Sequence, residues 1–330
     1  MEDWVSDAVA LSTSLDNGKG RGLVVTRDVS CLELLMVACP FVTGRAEEII
    51  GKARRLLAAG DPRGDQFLAL SDGSAALPDV DISVFKHERA PGAAPTPVDG
   101  KRIKGIIETN AQGVASFYNS VIDVPPVEVG TRTHPDPSEL ICLWLLPSLL
   151  NHSCEPSVAN SVDARSSAEG GPVLRLFAAR DLPAGTELTD TYVNLVAPLE
   201  ARQAELETQK GFRCACARCK AEAALDAKKV MSVLKRQQEA TATLRAAGPG
   251  KLRWWYEQSA AFRVEADALV KRALGAHEGS LGSAERLRAL PFVRAAFLQA
   301  DVEAAQTAVS AKNPTLRRPR FPACCAPSRP

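Results

Sequence analysis

The sequence predicts a mixed α+β fold, rich in strands up to Tyr192 and helical from Ala221 onward. Three observations carry this. A β-rich apolar run follows a glycine turn near the N-terminus, and further strand-like runs lie at 173–179 and 187–192. After residue 221 the strand signals stop, and alanine-rich, charged segments with helical periodicity replace them. At 330 residues, a prior of about 150 residues per domain gives roughly two domains.

Taken in order, Gly18-Lys19-Gly20-Arg21-Gly22 is a turn feeding a strand at Leu23-Val24-Val25-Thr26, and Leu32–Val37 is a second strand. Arg45–Leu57 sets Ile49, Ala53, Leu56 and Leu57 at helical spacing, with Gly60-Asp61-Pro62 as the stop. Ala90–Asp99 carries three prolines and reads as a loop. Ile103–Tyr118 fits a helix or a strand with a turn, and a helix over Ile106–Tyr118 is preferred. Thr131–Pro137 is a loop before the apolar run Ile141–Leu150. Val173–Ala179 is a strand, Asp181–Gly185 a turn, and Glu187–Tyr192 a short strand. Segments 225–247, 252–276 and 284–310 are three helices, the last interrupted by Pro291. The final 17 residues, from Pro314, hold five prolines and four arginines with no acid, and are expected to be disordered.

Composition excludes several classes. Forty Lys and Arg against 39 Asp and Glu leave a net charge of +1, so no global field draws nucleic acid or anionic lipid. Only the basic tail offers a weak nucleic-acid contact. The densest apolar runs, Leu32–Phe41 and Ile141–Leu150, contain proline and fall short of the ~20 residues a spanning helix needs, so no membrane role is expected. Met1-Glu2-Asp3-Trp4 is acidic with no apolar segment behind it, so no secretory signal is expected. The nine cysteines then read as reduced thiols of an intracellular protein, nuclear or cytoplasmic, where clusters bind metal.

Four elements carry chemistry. Lys19-Gly20-Arg21-Gly22 sets two cations beside glycines that let backbone approach an anionic ligand, or is a basic hairpin turn. Asn151-His152-Ser153-Cys154 puts polar groups at the end of a buried run, where each needs a partner. Cys214-Ala215-Cys216-Ala217-Arg218-Cys219 places three thiols within six residues, too close for a disulfide framework but apt for one metal ion. A structural zinc takes four ligands, so one more is required. The candidates are the other cysteines and the four histidines: Cys324-Cys325 lies in the tail, Cys31, Cys39 and Cys142 sit in apolar strings that read as core, and Cys154, which follows a polar bend, is preferred. Glu187-Leu188-Thr189-Asp190-Thr191-Tyr192 ends a strand on a tyrosine, which alone reads as a packing residue.

Together with Asn110 in Glu108-Thr109-Asn110-Ala111, and in this order, these elements resemble the SET-domain lysine methyltransferases. The nearest group is the SET-and-MYND proteins and their relatives with TPR-like helical appendages. The matching pieces run from residue 18 to 219, about three-fifths of the chain. The resemblance implies a β-rich SET fold with a helical insert, a zinc-binding post-SET segment and a C-terminal α-helical region. The corresponding division is 1–42 and 106–197 for the SET parts, 43–105 for the insert and linker, 198–222 for the post-SET segment, 223–312 for the helices and 313–330 for the tail.

It also implies an S-adenosyl-L-methionine-dependent protein-lysine N-methyltransferase acting on a protein with an exposed lysine, histone or other. Lys19 and Arg21 would lie beside the methionyl carboxylate of the cofactor. Asn110, Asn151 and His152 would hold its amino-acid and ribose portions, and Phe212 would lie against adenine. Tyr192 would be the catalytic tyrosine. Cys154 would join Cys214, Cys216 and Cys219 on one structural Zn2+, tethering a flap over the active site. A sulfonium methyl is already activated, so such an enzyme chiefly positions and desolvates. The acceptor must be a neutral amine although its reference pKa is about 10.4, and a narrow apolar channel disfavours the ammonium. Phe177 is a further channel-lining residue or core.

The chain departs from the group in two ways. Residues 42–105 hold no cysteine and a single histidine, His87, so no MYND finger is encoded there. Many SET-and-MYND enzymes carry a second aromatic just before the post-SET cysteines, where this chain reads Gln209-Lys210-Gly211. A SET-fold scaffold of weak or no catalytic activity is the alternative reading.

Overall fold

The computed structural model describes residues 3–15, 20–74, 82–85, 98–114, 140–163, 171–247 and 249–276, with Val293 and Phe297. Lys19, most of the loop at 90–99, the loop Thr131–Pro137, the tail and nearly all of the helix expected at 284–310 lie outside the described residues. The chain divides into two units, Met1–Asn119 with Pro126–Asp190, and Ser120–Pro125 with Thr191–Pro330.

In chain order the first unit carries β1 (Trp4–Val5), β2 (Val9–Leu15), β3 (Gly20–Val25), β4 (Leu34–Ala38) and β5 (Val42–Gly44). Then come helices α1 (Ile49–Ala58), α2 (Gly64–Leu68) and α3 (Gly100–Asn110), and strands β6 (Gln112–Gly113), β7 (Ile141–Leu143), β8 (Asn151–His152), β9 (Val158–Asp163), β10 (Val173–Ala178) and β11 (Glu187–Asp190). They form three small sheets, ordered β1-β4-β10-β9, β2-β3-β11-β8 and β5-β7-β6. The pairings are antiparallel except β8 with β11, where Asn151 faces Thr189 and His152 faces Asp190. One apolar core runs through the unit, including Leu23, Leu35, Phe67, Ile106 and Trp144.

Three local outcomes differ from expectation. Leu32 adopts a left-handed backbone (φ 66°) and is exposed, so β4 starts at Leu34 rather than Leu32. Of the preferred helix over 106–118, residues 106–110 are the last part of α3 at 100–110, which starts early because the Asp99 carboxylate accepts from the Lys101 N–H and caps the helix at Gly100, while residues 115–118 lie outside the described residues. The chain then turns at once into β6. Cys31 is exposed in a turn, its N–H donating to Asp181, whereas Cys142 lies in the core. Elsewhere, Gly60 (φ 74°) and Gly185 (φ 83°) fill the turns read from the sequence.

Within the second unit lie α4 (Leu199–Lys210), α5 (Ala217–Ala223), α6 (Ala227–Ala247) and α7 (Leu252–Ala276). The long helices α6 and α7 share a core that includes Val233, Leu244, Trp255 and Phe262. The buried Trp255 indole finds its partner in the Thr241 hydroxyl at 3.3 Å. Gly211, left-handed at φ 73°, ends α4.

Candidate functional site

Strand β11 and the segment after β8 are laced together by polar contacts. The Ser153 N–H donates to the Asp190 carbonyl, and the Ser157 N–H to the Thr189 carbonyl. The Ser157 hydroxyl donates to the Glu187 carbonyl and accepts from the Thr189 N–H at 2.8 Å. Asn160 donates its amide to both Asp190 carboxylate oxygens. These groups are mostly buried, so each bond also removes the cost of an unmet polar group. The serines of this stretch therefore act as main-chain fasteners.

Asn151 joins this stretch to β3. Its amide donates to the Arg21 carbonyl and to the Glu187 carboxylate, each at 3.0 Å. Gly22 makes that approach possible: a Cβ there would stand 2.7 Å from the Asn151 amide nitrogen and 2.5 Å from Leu15 Cδ1. Partial burial lowers the Arg21 pKa, which marks a cation withdrawn from water and apt to take an anion. Asn110, at the end of α3, spends its amide nitrogen on the Ser71 and Ile106 carbonyls rather than on Arg21 or Asn151. Phe177 is half-buried on β10.

Tyr192, Phe212 and three of the cysteines belong to the second unit. Tyr192 is half-buried, with Lys210 Nζ 5.4 Å from its ring centroid. Phe212 keeps 37% of its surface exposed. The sequence reading missed what holds this region. Arg202 and Arg218, both wholly buried, donate to opposite oxygens of Glu222 at 2.7 and 2.6 Å. Arg202 also donates to the Ala197 carbonyl, and Arg218 to the Leu195 carbonyl at 2.8 Å. Gln203 grips Cys214 by both main-chain groups, and Arg202 comes within 4.0 Å of the Cys219 sulfur. The buried face of α4 is thus Arg202, Gln203 and Leu206, a helical stripe that an apolar-periodicity reading passes over.

The sulfurs of Cys154, Cys214, Cys216 and Cys219 lie within 4.8 Å of one another. Tetrahedral ligands at about 2.3 Å from a zinc ion stand about 3.8 Å apart, so this grouping suits a four-thiolate centre. His152 Nε2 lies 3.3 Å from the Cys154 sulfur and supports it from the side. Cys142 shows the contrast: burial pushes its pKa up to about 11, as expected of an inert core thiol.

The SET domain family model matches residues 20–193, more than half of the chain. The chain belongs to the SET-domain family. Histone-lysine N-methyltransferase SET5 of Meyerozyma guilliermondii is 50% identical over 82 residues, 25% of this chain and 16% of that protein. Histone-lysine N-methyltransferase SMYD3 of Homo sapiens is 42% identical over 72 residues, 22% of this chain and 15% of that protein. The match thus spans about one sixth of these relatives' length. A solved structure titled as the SET domain of LSMT bound to lysine and AdoHcy is 12% identical, with a TM-score of 0.32, covering 92% of this chain and 88% of that one.

Among the described residues, no helix is long and apolar enough to cross a membrane.

Proposed function

We propose that the chain is an S-adenosylmethionine-dependent protein-lysine N-methyltransferase. The observation that carries this is the SET-domain match over residues 20–193, which takes in Arg21, Asn110, Asn151, His152, Cys154 and Tyr192. The two relatives are both named for methylating lysine in histones, which supports a protein substrate, with histones the first to test. A histone or other intracellular substrate would fit action in the nucleus or the cytoplasm.

In this reading Arg21 receives the cofactor's carboxylate, with Lys19 beside it. Asn110, Asn151 and His152 hold the rest of its amino-acid and ribose portions, partly through their main-chain groups because their side-chain nitrogens already meet protein partners, and the ring of Phe212 stacks on its adenine. The bound cofactor supplies an activated methyl group. Tyr192 directs the lone pair of the incoming lysine amine toward it and excludes water on one side. Because that amine must be neutral, withdrawal from solvent is the main service the protein offers. Cys154, Cys214, Cys216 and Cys219 would hold one structural zinc ion, which would offset half of the charge of four thiolates and fix them in place. The divisions 1–42 and 106–197 for the SET parts, 43–105 for the insert and 198–222 for the zinc segment belong to the same reading.

The test is to incubate purified chain with methyl-labelled cofactor and a cell lysate. We expect labelled lysine in lysate proteins, and a loss on the order of a hundredfold in Tyr192→Phe with zinc and helix content retained. Full activity in that variant would remove Tyr192 from the mechanism, and no transfer by the wild type would refute the proposal.

A further inference from the structure

Lys210 is the last residue of α4, and its Nζ stands over the ring of Tyr192, 5.4 Å from the centroid. Both ends of this pair are fixed within one unit. The main chain after Tyr192 is held at Leu195 and Ala197 by Arg218 and Arg202, which share the buried Glu222. Behind Lys210, left-handed Gly211 closes the helix, and Gln203 holds the Cys214 backbone in both directions. Partial withdrawal from water lowers the Lys210 pKa, so its neutral fraction exceeds that of a fully hydrated lysine. The side chain still reaches solvent.

A lysine amine is the chemical group that the proposed site methylates. We infer that Lys210 is an intramolecular methyl acceptor, a self-methylation site served by Tyr192 in the same chain; this rests on the function proposed above. The step balances with S-adenosylmethionine as the only co-reactant. The lone pair of neutral Nζ attacks the sulfonium methyl, the N–C bond forms as the C–S bond breaks, and the positive charge passes from sulfur to nitrogen. S-adenosylhomocysteine leaves, and the methylammonium loses a proton to solvent according to pH. Holding acceptor and tyrosine on one scaffold replaces a bimolecular encounter by a local one, which favours this lysine over others. The product remains a cation and keeps its attraction to the aromatic face.

The experiment uses the 330-residue chain made in bacteria, incubated with methyl-labelled S-adenosylmethionine with and without lysate, and read by tandem mass spectrometry. The expected result is one methyl mass on Lys210, formed at a rate per molecule that dilution does not change, and lost in Lys210→Arg and in Tyr192→Phe. A second readout needs no cofactor. In competitive labelling with trace acetic anhydride at neutral pH, Lys210 acetylates ahead of exposed Lys220 and Lys229. Labelled lysate proteins with Lys210 unmodified would overturn the inference and leave the proposed function standing. Modification of Lys210 that slows on dilution would overturn its intramolecular character. No label on any protein would overturn both the inference and the function, and acetylation of Lys210 no faster than of Lys220 and Lys229 would contradict the activated amine.

Discussion

Residues 141–150 and residues 197–223 both bury their inward side chains, the first with Cys142, Leu143, Trp144 and Leu145, the second with Arg202, Gln203, Arg218 and Glu222. Apolar contacts have little direction, so the first stretch fixes volume and excludes water. The second stretch uses forked guanidinium groups, whose hydrogen bonds have defined angles, and so fixes the placement of particular carbonyls at 195 and 197. A SET site needs both: a core that is merely filled, and a tyrosine and thiols that are aimed. The same division separates the thiols. Cys142 is a small apolar side chain in practice, while Cys154, Cys214, Cys216 and Cys219 converge.

Removing metal should separate the two kinds of thiol most sharply. Structural zinc contributes on the order of 10 kcal/mol in small peptide sites, so chelation is the largest perturbation available. We expect four additional thiols to react with a disulfide reagent after chelation, and helix signal to fall. Cys142 stays silent near pH 8, because a pKa raised to about 11 leaves almost no thiolate there. The sign is that its reactivity appears only as pH rises toward that value.

Next in size is Glu222→Ala. It strands two buried guanidinium groups, and breaking such a pair costs about 3–5 kcal/mol, read by denaturant unfolding. Gly22→Ala introduces a Cβ against Asn151 and Leu15, an overpacking that costs about 1–3 kcal/mol. Its further effect is weaker cofactor binding through displacement of Asn151. Smallest is Glu207→Ala, which removes an exposed ion pair with Arg213 and shifts stability by less than about 1 kcal/mol. Equal losses in Glu222→Ala and Glu207→Ala would erase the distinction drawn between buried clamp and surface pair.

Much of this was legible before any coordinates. β3 announces itself through the β-branched pair Val24-Val25 after Gly20, and β10 and β11 through short apolar runs on either side of the turn at Pro183 and Gly185. The four sulfurs found together are the four grouped from the sequence, because three closely spaced thiols demand a fourth and few candidates are free of a core string. Helix α4 was not legible as a buried element, since its inward stripe is charged and amide rather than apolar. Arg218 and Glu222 stand at i and i+4, a readable pairing, but nothing local says that Arg202 joins them. The start of α3 is hidden for the opposite reason: a single capping aspartate, Asp99, outweighs the apolar residues downstream. Lys210 over Tyr192 joins residues 18 apart across a turn and a helix, a relation that no spacing rule encodes.

The central claim is that this SET domain holds a methyl donor. Calorimetric titration of the zinc-loaded chain with S-adenosylmethionine tests it without depending on any substrate. Saturable binding of one equivalent is expected, retained in Tyr192→Phe and weakened in Gly22→Ala. A folded, metal-loaded chain that gives no binding heat at any temperature tried, and no retention of labelled cofactor on dialysis, would contradict it.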